Sequence, residues 1–523
     1  FDNVPDMTNP TQLVSFGTSG HRGTSVDGTF TDLHVAAITQ AICDGRKQFG
    51  ATGPIFVGQD THALSQPALV TVLEVLAGNG VTAMVDCDMD FVPTPSVSRA
   101  IIRYNEEHDD KADGIIITPS HNPPDNGGIK YNTIIGGPAD TVVTKWIEMR
   151  ANEYLTAYCE SEDFKRISID NIEPTAQVPY DYKGLYVEEL GDVINMEAIK
   201  AASPKVLVDT LGGSGASYWN AIKERYGLDL TIIHDDYDPT FSFMTYDHDG
   251  KVRMDCSSTY VMASVINRIG DFDLAVGNDP DYDRYGIVVS SGLISANTFL
   301  TLAARYLFTT RGWKNKGVGK TVVCTTMIDK WAADAETPVF EVPVGFKYFS
   351  QLLFDGAIGI GGEESAGASF LKKDGTVWTT DKDGMIMALL SMEIMAVMGK
   401  SALKMADESL EEFGNPSFGR IDAPCKKEQK QILKQMSAEL ITATTVDGDP
   451  ITNIRTTSLY NDMPIDGVRV ETDKGWFVAR PSGTEDLYKI YGESYKGDLG
   501  LVALLTAGEE IVNAALNGTI ETE

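Results

Sequence analysis

Apolar and polar positions along this chain follow a pattern that repeats three times. Each copy begins with a short apolar run, continues through a turn into a stretch with helical periodicity, and ends in a second apolar run. The copies place these elements at 55–57, 66–77 and 81–85, at 206–208, 216–226 and 230–233, and at 321–323, 328–335 and 339–342. Strands that alternate with helices need crossover connections, so the pattern predicts three tandem α/β domains with mixed or parallel sheets.

The last hundred residues follow a different pattern. A predicted helix at 426–441 precedes short predicted strands at 468–470, 475–479 and 487–491, and then a C-terminal helix at 501–515. This order is typical of an α+β domain appended to an α/β core. With junctions placed in polar or proline-containing stretches, the predicted domains span residues 1–180, 181–295, 296–415 and 416–523.

The amino-acid composition argues against some classes of function but does not identify the function. The 523 residues are 42% hydrophobic and 23% charged, as in ordinary globular proteins. The 43 Lys and Arg against 75 Asp and Glu give a net charge of -32, which argues against a general binder of nucleic acid or anionic membrane. A pocket with its own basic residues can still take a small phosphorylated substrate.

Cysteine spacing and hydropathy indicate in which cellular compartment the protein is expected. The six cysteines lie too far apart to form a zinc-binding pattern, which indicates reduced, buried thiols. The longest apolar candidate for a membrane span, 384–399, is Met-rich like a core helix and contains Glu393. The N-terminus has no basic segment followed by an apolar one. We therefore expect a soluble cytoplasmic enzyme, a monomer or a homodimer, that binds no nucleic acid and no membrane.

The sharpest chemical signal is the acidic stretch 279–284 (DPDYDR), which lies between two apolar runs. Three carboxylates in five residues repel one another unless a cation lies between them, and oxygen ligands favour Mg, Mn or Ca over zinc. An EF-hand does not fit, because Arg284 and Ser290 stand where that loop needs Gly and Glu. A solvated acidic loop is the alternative.

A second signal is the stretch 114–123 (GIIITPSHNP), in which an apolar strand ends in a loop with prolines on both sides of Ser120. Because proline fixes the backbone, the loop would hold the Ser120 hydroxyl in one direction, as a nucleophile requires. A Ser-His-Asp hydrolase is one alternative, but no Gly-x-Ser-x-Gly elbow surrounds Ser120, and Ser120 and His121 would point apart on an extended chain. A plain turn is the other alternative.

Three further loops combine glycine with hydroxyl or charged residues. Residues 479–484 (ARPSGT) and 16–23 (FGTSGHRG) offer Arg, hydroxyls and backbone N–H groups, which suit a phosphate. A hairpin loop and a disordered N-terminal tail are the respective alternatives. Residues 361–367 (GGEESAG) place an acid and a hydroxyl where they could bind sugar hydroxyls.

Two glycine-rich stretches do not fit nucleotide binding. Residues 317–321 (GVGKT) resemble part of a P-loop, but the required first glycine is Lys314 and the stretch leads into a strand. Residues 211–215 (LGGSG) fail the spacing of a dinucleotide fingerprint and fit a packing turn.

Taken in chain order, the five functional loops resemble those of the α-D-phosphohexomutase superfamily, and the resemblance covers nearly the whole chain. Within the superfamily, GEESAG at 362–367 is similar to phosphoglucomutases, and the sequence resembles the bacterial glucose-phosphate-specific type. The branches that act on mannose or glucosamine phosphates typically have His soon after the sugar-loop Ser, where this chain has Ala368. The resemblance implies a four-domain architecture with, in order, a phosphoserine loop, a metal loop, a sugar-binding loop and a phosphate-binding loop.

The resemblance also implies a mechanism and a set of residues. Ser120 would be carried as phosphoserine and would give its phosphoryl group to a glucose phosphate, forming glucose 1,6-bisphosphate, which turns and returns its other phosphate. The implied Mg²⁺ ligands are Ser120, Asp279, Asp281 and Asp283, and the implied catalytic residues are Ser120, His121, Lys130, Arg22 and Arg284. The implied substrate-binding residues are Thr18, Lys347, Glu363, Ser365, Lys382, Arg480, Ser482, Gly483 and Thr484. Which of Lys130, His121 and Lys382 is the general acid or base stays open.

Other functions remain as alternatives. The enzyme could act on another hexose phosphate, of mannose or N-acetylglucosamine, or it could be a metal-dependent phosphatase whose nucleophile is an Asp of the acidic stretch. A non-enzymatic paralogue on the same fold would have lost site residues, whereas every motif is intact here.

Overall fold

The computed structural model describes residues 1–17, 19–159, 164–481 and 487–520. The chain forms two compact units, one made of residues 1–296, 346–360 and 365–403, the other of residues 297–345, 361–364 and 404–523. Single 3₁₀ turns lie at Pro10–Gln12, before the first strand, and between longer elements at Ile169–Asn171, Pro174–Ala176, Ile269–Asp271 and Ala438–Leu440.

The first region is built on a six-stranded mixed sheet. Its strands are β1 (His21–Thr24), β2 (Ile55–Gln59), β3 (Ala83–Asp86), β4 (Asp113–Ile117), β5 (Asn126–Asn132) and β6 (Gln177–Tyr180), and its helices are α1 (Asp32–Gly45), α2 (Ser65–Gly78), α3 (Thr94–Glu107) and α4 (Thr141–Cys159). The strand order is β1-β5-β4-β2-β3-β6. β2 pairs in parallel with β3 and β4, whereas β5 pairs antiparallel with β1 and β4. The β2-α2-β3 crossover lies within two residues of its prediction.

The second region repeats this plan on a smaller scale. Its elements are α5 (Tyr182–Val193), α6 (Met196–Ala202), β7 (Val206–Asp209), α7 (Ala216–Tyr226), β8 (Leu230–Ile233), α8 (Ala263–Ile266), β9 (Leu274–Asn278), β10 (Tyr285–Val289) and β11 (Gly292–Leu293). The sheet order is β11-β10-β9-β7-β8, with β7 parallel to β8 and β9 and the remaining pairs antiparallel. α7 has the predicted bounds because Gly227, at a φ of 63°, supplies the left-handed residue that ends a helix.

The third region contributes to both units. Its elements are α9 (Ala296–Arg311), β12 (Gly317–Thr321), α10 (Met327–Asp334), β13 (Val339–Val342), α11 (Lys347–Phe354), β14 (Ile358–Gly362), β15 (Ala368–Phe370), α12 (Gly384–Met398) and α13 (Ala402–Phe413). The prediction of a strand at 321–323 was wrong, because Val322 and Val323 lie in the turn that follows β12. β12 itself has no apolar run: it contains two glycines and Lys320, which is fully buried and donates a hydrogen bond to the Thr325 carbonyl at 3.3 Å.

The fourth region is an antiparallel sheet covered by helices. Its elements are β16 (Ser417–Pro424), α14 (Lys427–Lys434), β17 (Thr445–Val446), β18 (Asp449–Thr457), β19 (Pro464–Thr472), β20 (Gly475–Pro481), β21 (Leu487–Ser494) and α15 (Gly497–Ile520), in the strand order β16-β21-β20-β19-β18-β17. The predicted helix at 426–441 was too long. Ser437 accepts a hydrogen bond from the Glu439 N–H at 3.3 Å, which starts a separate 3₁₀ turn after α14 ends. Strands β16 to β18 had not been predicted.

One described helix is long and apolar enough to cross a membrane, which the sequence had not indicated. This helix is α15, over Gly497–Asn517, and 44% of its most hydrophobic 18-residue stretch is buried within the protein. A second span would arise only if α12 and α13, bent by 88°, were counted as one. Leu504, Leu505, Val512 and Leu516 pack into the core of the fourth region. This packing is what a core helix requires, so the evidence for a membrane span is weak.

Candidate active site

Ser120 lies three residues after Ile117, the last residue of β4, at the carboxyl end of a strand in the middle of the first sheet. The residue is 1% exposed and has a φ of 60°. Its N–H donates to Thr118 Oγ1 at 2.8 Å, and its Oγ donates to Asp279 Oδ2 at 3.1 Å. The left-handed backbone also brings Ser120 Oγ to 3.3 Å from His121 Nδ1. The expectation that Ser120 and His121 point apart was therefore wrong, because it assumed an extended chain.

A buried network holds this loop from behind. Thr118 Oγ1 donates to Asp60 at 2.6 Å, and Asp60 also accepts from Ser65 Oγ at 2.6 Å. His62 Nδ1 lies 2.8 Å from Asp60, while Nε2 lies 3.0 Å from the Asn122 carbonyl. Both ring nitrogens therefore face acceptors, an arrangement that stabilises the protonated ring of His62. Burial would lower the pKa of His62, but the Asp60 carboxylate outweighs this effect and raises it.

The three aspartates of the acidic stretch converge in the turn between β9 and β10. Asp279, Asp281 and Asp283 are at most 1% exposed, and one oxygen of each lies within 4.8 Å of the others. Tyr282, with a φ of 63°, makes the turn that brings alternate side chains to one side. Asp279 Oδ1 accepts the backbone N–H of Arg284 at 2.9 Å. A solvated acidic loop is thereby excluded.

Two lysines from other elements neutralise part of this charge. Lys130 on β5 donates to Asp281 Oδ2 at 2.6 Å and to Asp283 Oδ2 at 3.1 Å, and Lys382 Nζ lies 3.0 Å from Asp283 Oδ2. Burial would raise the pKa of Asp283, but Lys130 and Lys382 outweigh it and hold the pKa far below its usual range. Burial and the neighbouring Asp281 raise the pKa of Asp279 well above its usual range. The site therefore carries more negative charge than its lysines satisfy.

Unpartnered oxygens test whether a metal ion fits here. Asp281 Oδ1 and Asp283 Oδ1 are buried and have no hydrogen-bond partner among the described residues. Leaving such carboxylate oxygens unsatisfied is costly, and a hard divalent cation is the ligand that oxygen donors of this kind prefer. The donor set thus fits a metal ion, in agreement with the prediction from the sequence.

Cationic groups surround the serine and the aspartates. Arg22 on β1 pairs in register with Gly128 of the neighbouring β5, and burial lowers the pKa of Arg22 while Asp281 raises it. Arg284 Nη1 and His121 Nε2 each lie 3.9 Å from Asp255 Oδ2. Arg22 and Arg284 thus place positive charge beside the three aspartates, whereas burial and the neighbouring Arg284 hold the pKa of His121 well below its usual value, so its ring adds no charge there.

The remaining predicted substrate residues lie further along the chain. The loop of Ser365 reaches the acidic turn, because the Tyr285 N–H donates to the Ala366 carbonyl at 3.1 Å. Lys347 Nζ donates to Thr141 Oγ1 at 2.9 Å. Glu363 and Arg480 belong to the other compact unit, where Arg480 Nε donates to the Ile465 carbonyl at 2.8 Å. Thr18, Ser482, Gly483 and Thr484 lie outside the described residues.

Thr94 is a site residue that sequence reasoning missed. Its Oγ1 donates to Asp281 Oδ2 at 2.7 Å, and its N–H donates to the Asp281 carbonyl at 2.9 Å. The available signal was Pro93 and Pro95, which flank Thr94 as prolines flank the loop of Ser120. Asp60 had no comparable signal beyond its position at the end of an apolar run.

Comparison with known proteins agrees with this geometry. The four models of the phosphoglucomutase/phosphomannomutase family match in order: α/β/α domain I at residues 13–157, domain II at 185–292, domain III at 295–413 and the C-terminal domain at 422–499. A phosphoglucomutase of Komagataeibacter xylinus is 47% identical over 519 residues, which cover 98% of this chain and 93% of that protein. Phosphoglucomutase 1 of Saccharomyces cerevisiae is 26% identical over 541 residues, covering 95% and 90% of the two chains.

Solved structures share the fold. The open form of parafusin, a phosphoglucomutase from Paramecium, superposes with a TM-score of 0.75 at 20% identity and covers 98% of this chain and 96% of its own. A family protein of Burkholderia thailandensis gives a TM-score of 0.71 at 20% identity, covering 95% and 97%. These structures show the fold, whereas the four matched domains and the 47% identical relative establish that the chain belongs to the phosphoglucomutase/phosphomannomutase family and is an isomerase of the phosphohexomutase type.

Proposed function

We propose that this enzyme interconverts α-D-glucose 1-phosphate and glucose 6-phosphate through a phosphoserine at Ser120 and a glucose 1,6-bisphosphate intermediate. One observation carries the proposal: the Ser120 hydroxyl, at the end of a central strand, lies 3.1 Å from Asp279 within a buried triad of carboxylates. A serine held this way next to a cation-binding cluster suits a phosphoryl carrier better than an acyl-transfer nucleophile.

Charge explains why the phosphoryl group would need this surrounding. Phosphoserine carries about -1.5 to -2 charges at neutral pH, and three aspartates beside it would repel it strongly. Asp279, Asp281, Asp283 and Ser120 would hold Mg²⁺, which when bound supplies positive charge to the phosphoryl oxygens. Arg22 and Arg284 would neutralise the phosphoryl group as it moves from Ser120 to the sugar.

Proton transfer has one well-placed group. In the first half-reaction the P–O bond to Ser120 breaks, a P–O bond to the sugar hydroxyl forms, that hydroxyl loses its proton and Ser120 Oγ gains one. His121 Nδ1, 3.3 Å from Ser120 Oγ, is within reach to exchange that proton. Lys130 and Lys382 are held by carboxylates, so we assign them to charge neutralisation at Asp281 and Asp283.

The substrate would be held by residues from several loops. We assign Glu363, Ser365 and Lys347 to sugar hydroxyls, and Lys382 to both the sugar and Asp283. We assign the phosphate that does not react to Arg480, Ser482, Gly483, Thr484 and, on the first loop, Thr18. Glucose 1,6-bisphosphate would serve as both intermediate and activator, because it rephosphorylates Ser120 whenever the intermediate escapes.

The finer organisation is part of the same proposal. We divide the chain at residues 1–180, 181–295, 296–415 and 416–523, and we place the enzyme in the cytoplasm as a monomer or homodimer without nucleic-acid or membrane partners. Each expectation follows from the composition and the resemblance described above.

The stability of the enzyme–phosphate bond tests the proposal against the phosphatase alternative. The full-length enzyme, incubated with labelled glucose 1,6-bisphosphate, should take up one phosphate per chain that resists hydroxylamine, because a serine ester is not an acyl phosphate. Loss of the label in hydroxylamine would identify an aspartyl phosphate and refute the mutase mechanism. A coupled assay with glucose, mannose and N-acetylglucosamine 1-phosphates then identifies the sugar, and no turnover with any of them would favour a non-enzymatic role.

A further inference from the structure

The first residue of α3, Thr94, makes two different hydrogen bonds to the acidic turn of the second region. Its N–H donates to the Asp281 carbonyl at 2.9 Å, and its hydroxyl donates to Asp281 Oδ2 at 2.7 Å. Both residues are fully buried. The first bond joins the two main chains, whereas the second reaches the carboxylate itself. A substitution of the Thr94 side chain can therefore remove the contact with the carboxylate and leave the contact between the main chains.

The two carboxylate oxygens of Asp281 have different surroundings. Oδ2 accepts hydrogen bonds from Thr94 Oγ1 at 2.7 Å and from Lys130 Nζ at 2.6 Å. Oδ1 is buried and has no hydrogen-bond partner among the described residues. Because both donors bind the same oxygen, the carboxylate is held with Oδ1 directed away from them. An oxygen presented in this way is available to a metal ion.

The two donors to Asp281 Oδ2 differ in how firmly they fix its direction. The Lys130 ammonium group lies on a flexible stem and is shared with Asp283, so it can follow the Asp281 carboxylate when that group rotates. Thr94 is β-branched, which restricts its χ1 angle, and prolines at 93 and 95 restrict the backbone on either side of it. The Thr94 hydroxyl is therefore the donor that sets the orientation of the carboxylate.

We propose that Thr94 is a positioning residue for metal binding, whose hydroxyl holds Asp281 Oδ2 so that Oδ1 faces the metal ion. This inference rests on the proposed function, in which Asp281 is one of the metal ligands. Groups that orient a metal ligand by a hydrogen bond typically change metal affinity by about 10–100-fold when they are removed. Because Lys130 and the bond between the main chains remain, we expect loss of the Thr94 hydroxyl to weaken metal binding by about tenfold.

Metal binding to the full-length Thr94→Val variant tests the proposal. Valine keeps the branched shape of threonine but has no hydroxyl, and its N–H can still donate to the Asp281 carbonyl. Mn²⁺ is a hard divalent ion whose binding can be followed by electron paramagnetic resonance, and its dissociation constant should rise about tenfold in this variant. Thr94→Ser, which keeps the hydroxyl, should recover most of the lost affinity.

Thr71→Val provides a matched control. Thr71 is 1% exposed, and its hydroxyl donates to Asp32 Oδ1 at 2.5 Å, so this substitution removes the same kind of hydrogen bond in the same compact unit. Its affinity for Mn²⁺ should equal that of the wild type. If circular dichroism shows that Thr94→Val does not fold, Thr94→Ala, which lacks the hydroxyl and has a smaller side chain, should show the tenfold loss instead.

Kinetics distinguish an oriented ligand from a general loss of structure. In Thr94→Val, half-maximal activity should need about tenfold more Mg²⁺, whereas kcat at saturating Mg²⁺ and KM for glucose 1-phosphate should change little. Equal Mn²⁺ affinity of Thr94→Val and the wild type, an equal loss in Thr71→Val, or no recovery in Thr94→Ser would each overturn the proposal and leave the proposed function standing. A wild-type protein that binds no Mn²⁺ would overturn the metal role of the aspartates as well.

Discussion

Replacing Lys130 by Met tests both the buried ion pairs and the metal site at once. Lys130 is 3% exposed and contacts Asp281 and Asp283, so its removal leaves two buried carboxylates without their shared cation. Removing one partner of a buried pair typically costs about 3–5 kcal/mol. Lys382 still lies 3.0 Å from Asp283 in the variant, and Thr94 still donates to Asp281. We therefore expect a loss near the lower limit, about 3 kcal/mol.

That loss should be measurable and should depend on metal. Lys130 belongs to a compact unit of about 350 residues, for which an unfolding entropy of about 2.1 cal/mol/K per residue gives a shift of about 1.4 °C per kcal/mol. Lys130→Met in EDTA should therefore lower the melting temperature of this unit by about 4 °C. If the triad binds Mg²⁺ as proposed, the ion would take the place of the lost cation, and at 100 times its dissociation constant it should restore about 2.7 kcal/mol. Differential scanning calorimetry with EDTA and with Mg²⁺ measures both effects.

A matched exposed lysine provides the control. Lys145 is 65% exposed at its side chain and pairs with Glu148 at 3.0 Å, so Lys145→Met should cost less than about 1 kcal/mol with or without Mg²⁺. A Lys130→Met protein as stable as this control would contradict the buried ion pairs. A large loss that Mg²⁺ does not reduce would contradict metal binding by the triad.

Four further predictions address catalysis and pH. Ser120→Ala should abolish uptake of labelled phosphate and lower turnover by about 10³ or more with the fold intact; near-normal rates would contradict the assignment. Asp281→Asn removes one carboxylate charge, so half-maximal activity should need more Mg²⁺, while sugar binding should change little. Full activity of the wild-type enzyme in EDTA would exclude a role for the metal. Arg480→Ala should raise KM for both glucose phosphates by an amount corresponding to about 2–3 kcal/mol, because a charge-assisted contact to the non-reacting phosphate is lost. It should also raise the concentration of added glucose 1,6-bisphosphate that the enzyme needs. An effect on one substrate alone would refute the assignment of Arg480 to that phosphate in both half-reactions. His21 is buried, and burial lowers its pKa to about 4. Because the unfolded chain binds this proton near pH 6.5, stability should fall by about 3 kcal/mol as the pH drops from 6.5 to 4, and denaturation of His21→Gln across this window should lack that component.

The sequence predicted correctly those helices and strands whose own residues show a clear hydrophobic periodicity. The α7 helix and strand β8 have their predicted bounds because apolar periodicity, a terminal glycine and a following apolar run coincide in the sequence. β12 was misplaced because its buried residues are two glycines, a valine, a threonine and Lys320, whose ammonium group pairs with Asp329, and no local scale identifies such a strand. Strand β18, exposed along much of its length, carries too little apolar alternation to be recognised.

The residues of the candidate active site also fall into two groups, those that the sequence identified and those that only the fold brings together. Loops with unusual local chemistry, such as those of Ser120 and Asp281, were identified because charge or proline concentrates within a few residues. Thr94 and Asp60 reach the site only because the ends of β2, β4 and the second region meet, and that meeting is a tertiary event. The contact between Ser120 and His121 depends on a φ of 60°, which the types of the two residues do not indicate.

The third region has a consequence for how such enzymes can be cut or recombined. Residues 346–360 and 365–403 belong to the same unit as the first two regions. A fragment that stops at 295 would lose α12, whose residues from Gly384 to Ile394 are all buried, and Asp383, which accepts hydrogen bonds from Tyr186 and Trp378. Such a fragment should aggregate on expression, and chimaeras between relatives should survive only when 346–403 travels with the N-terminal half. Exchange of residues 1–295 alone would therefore break the buried contacts that tie the first two regions to 346–403.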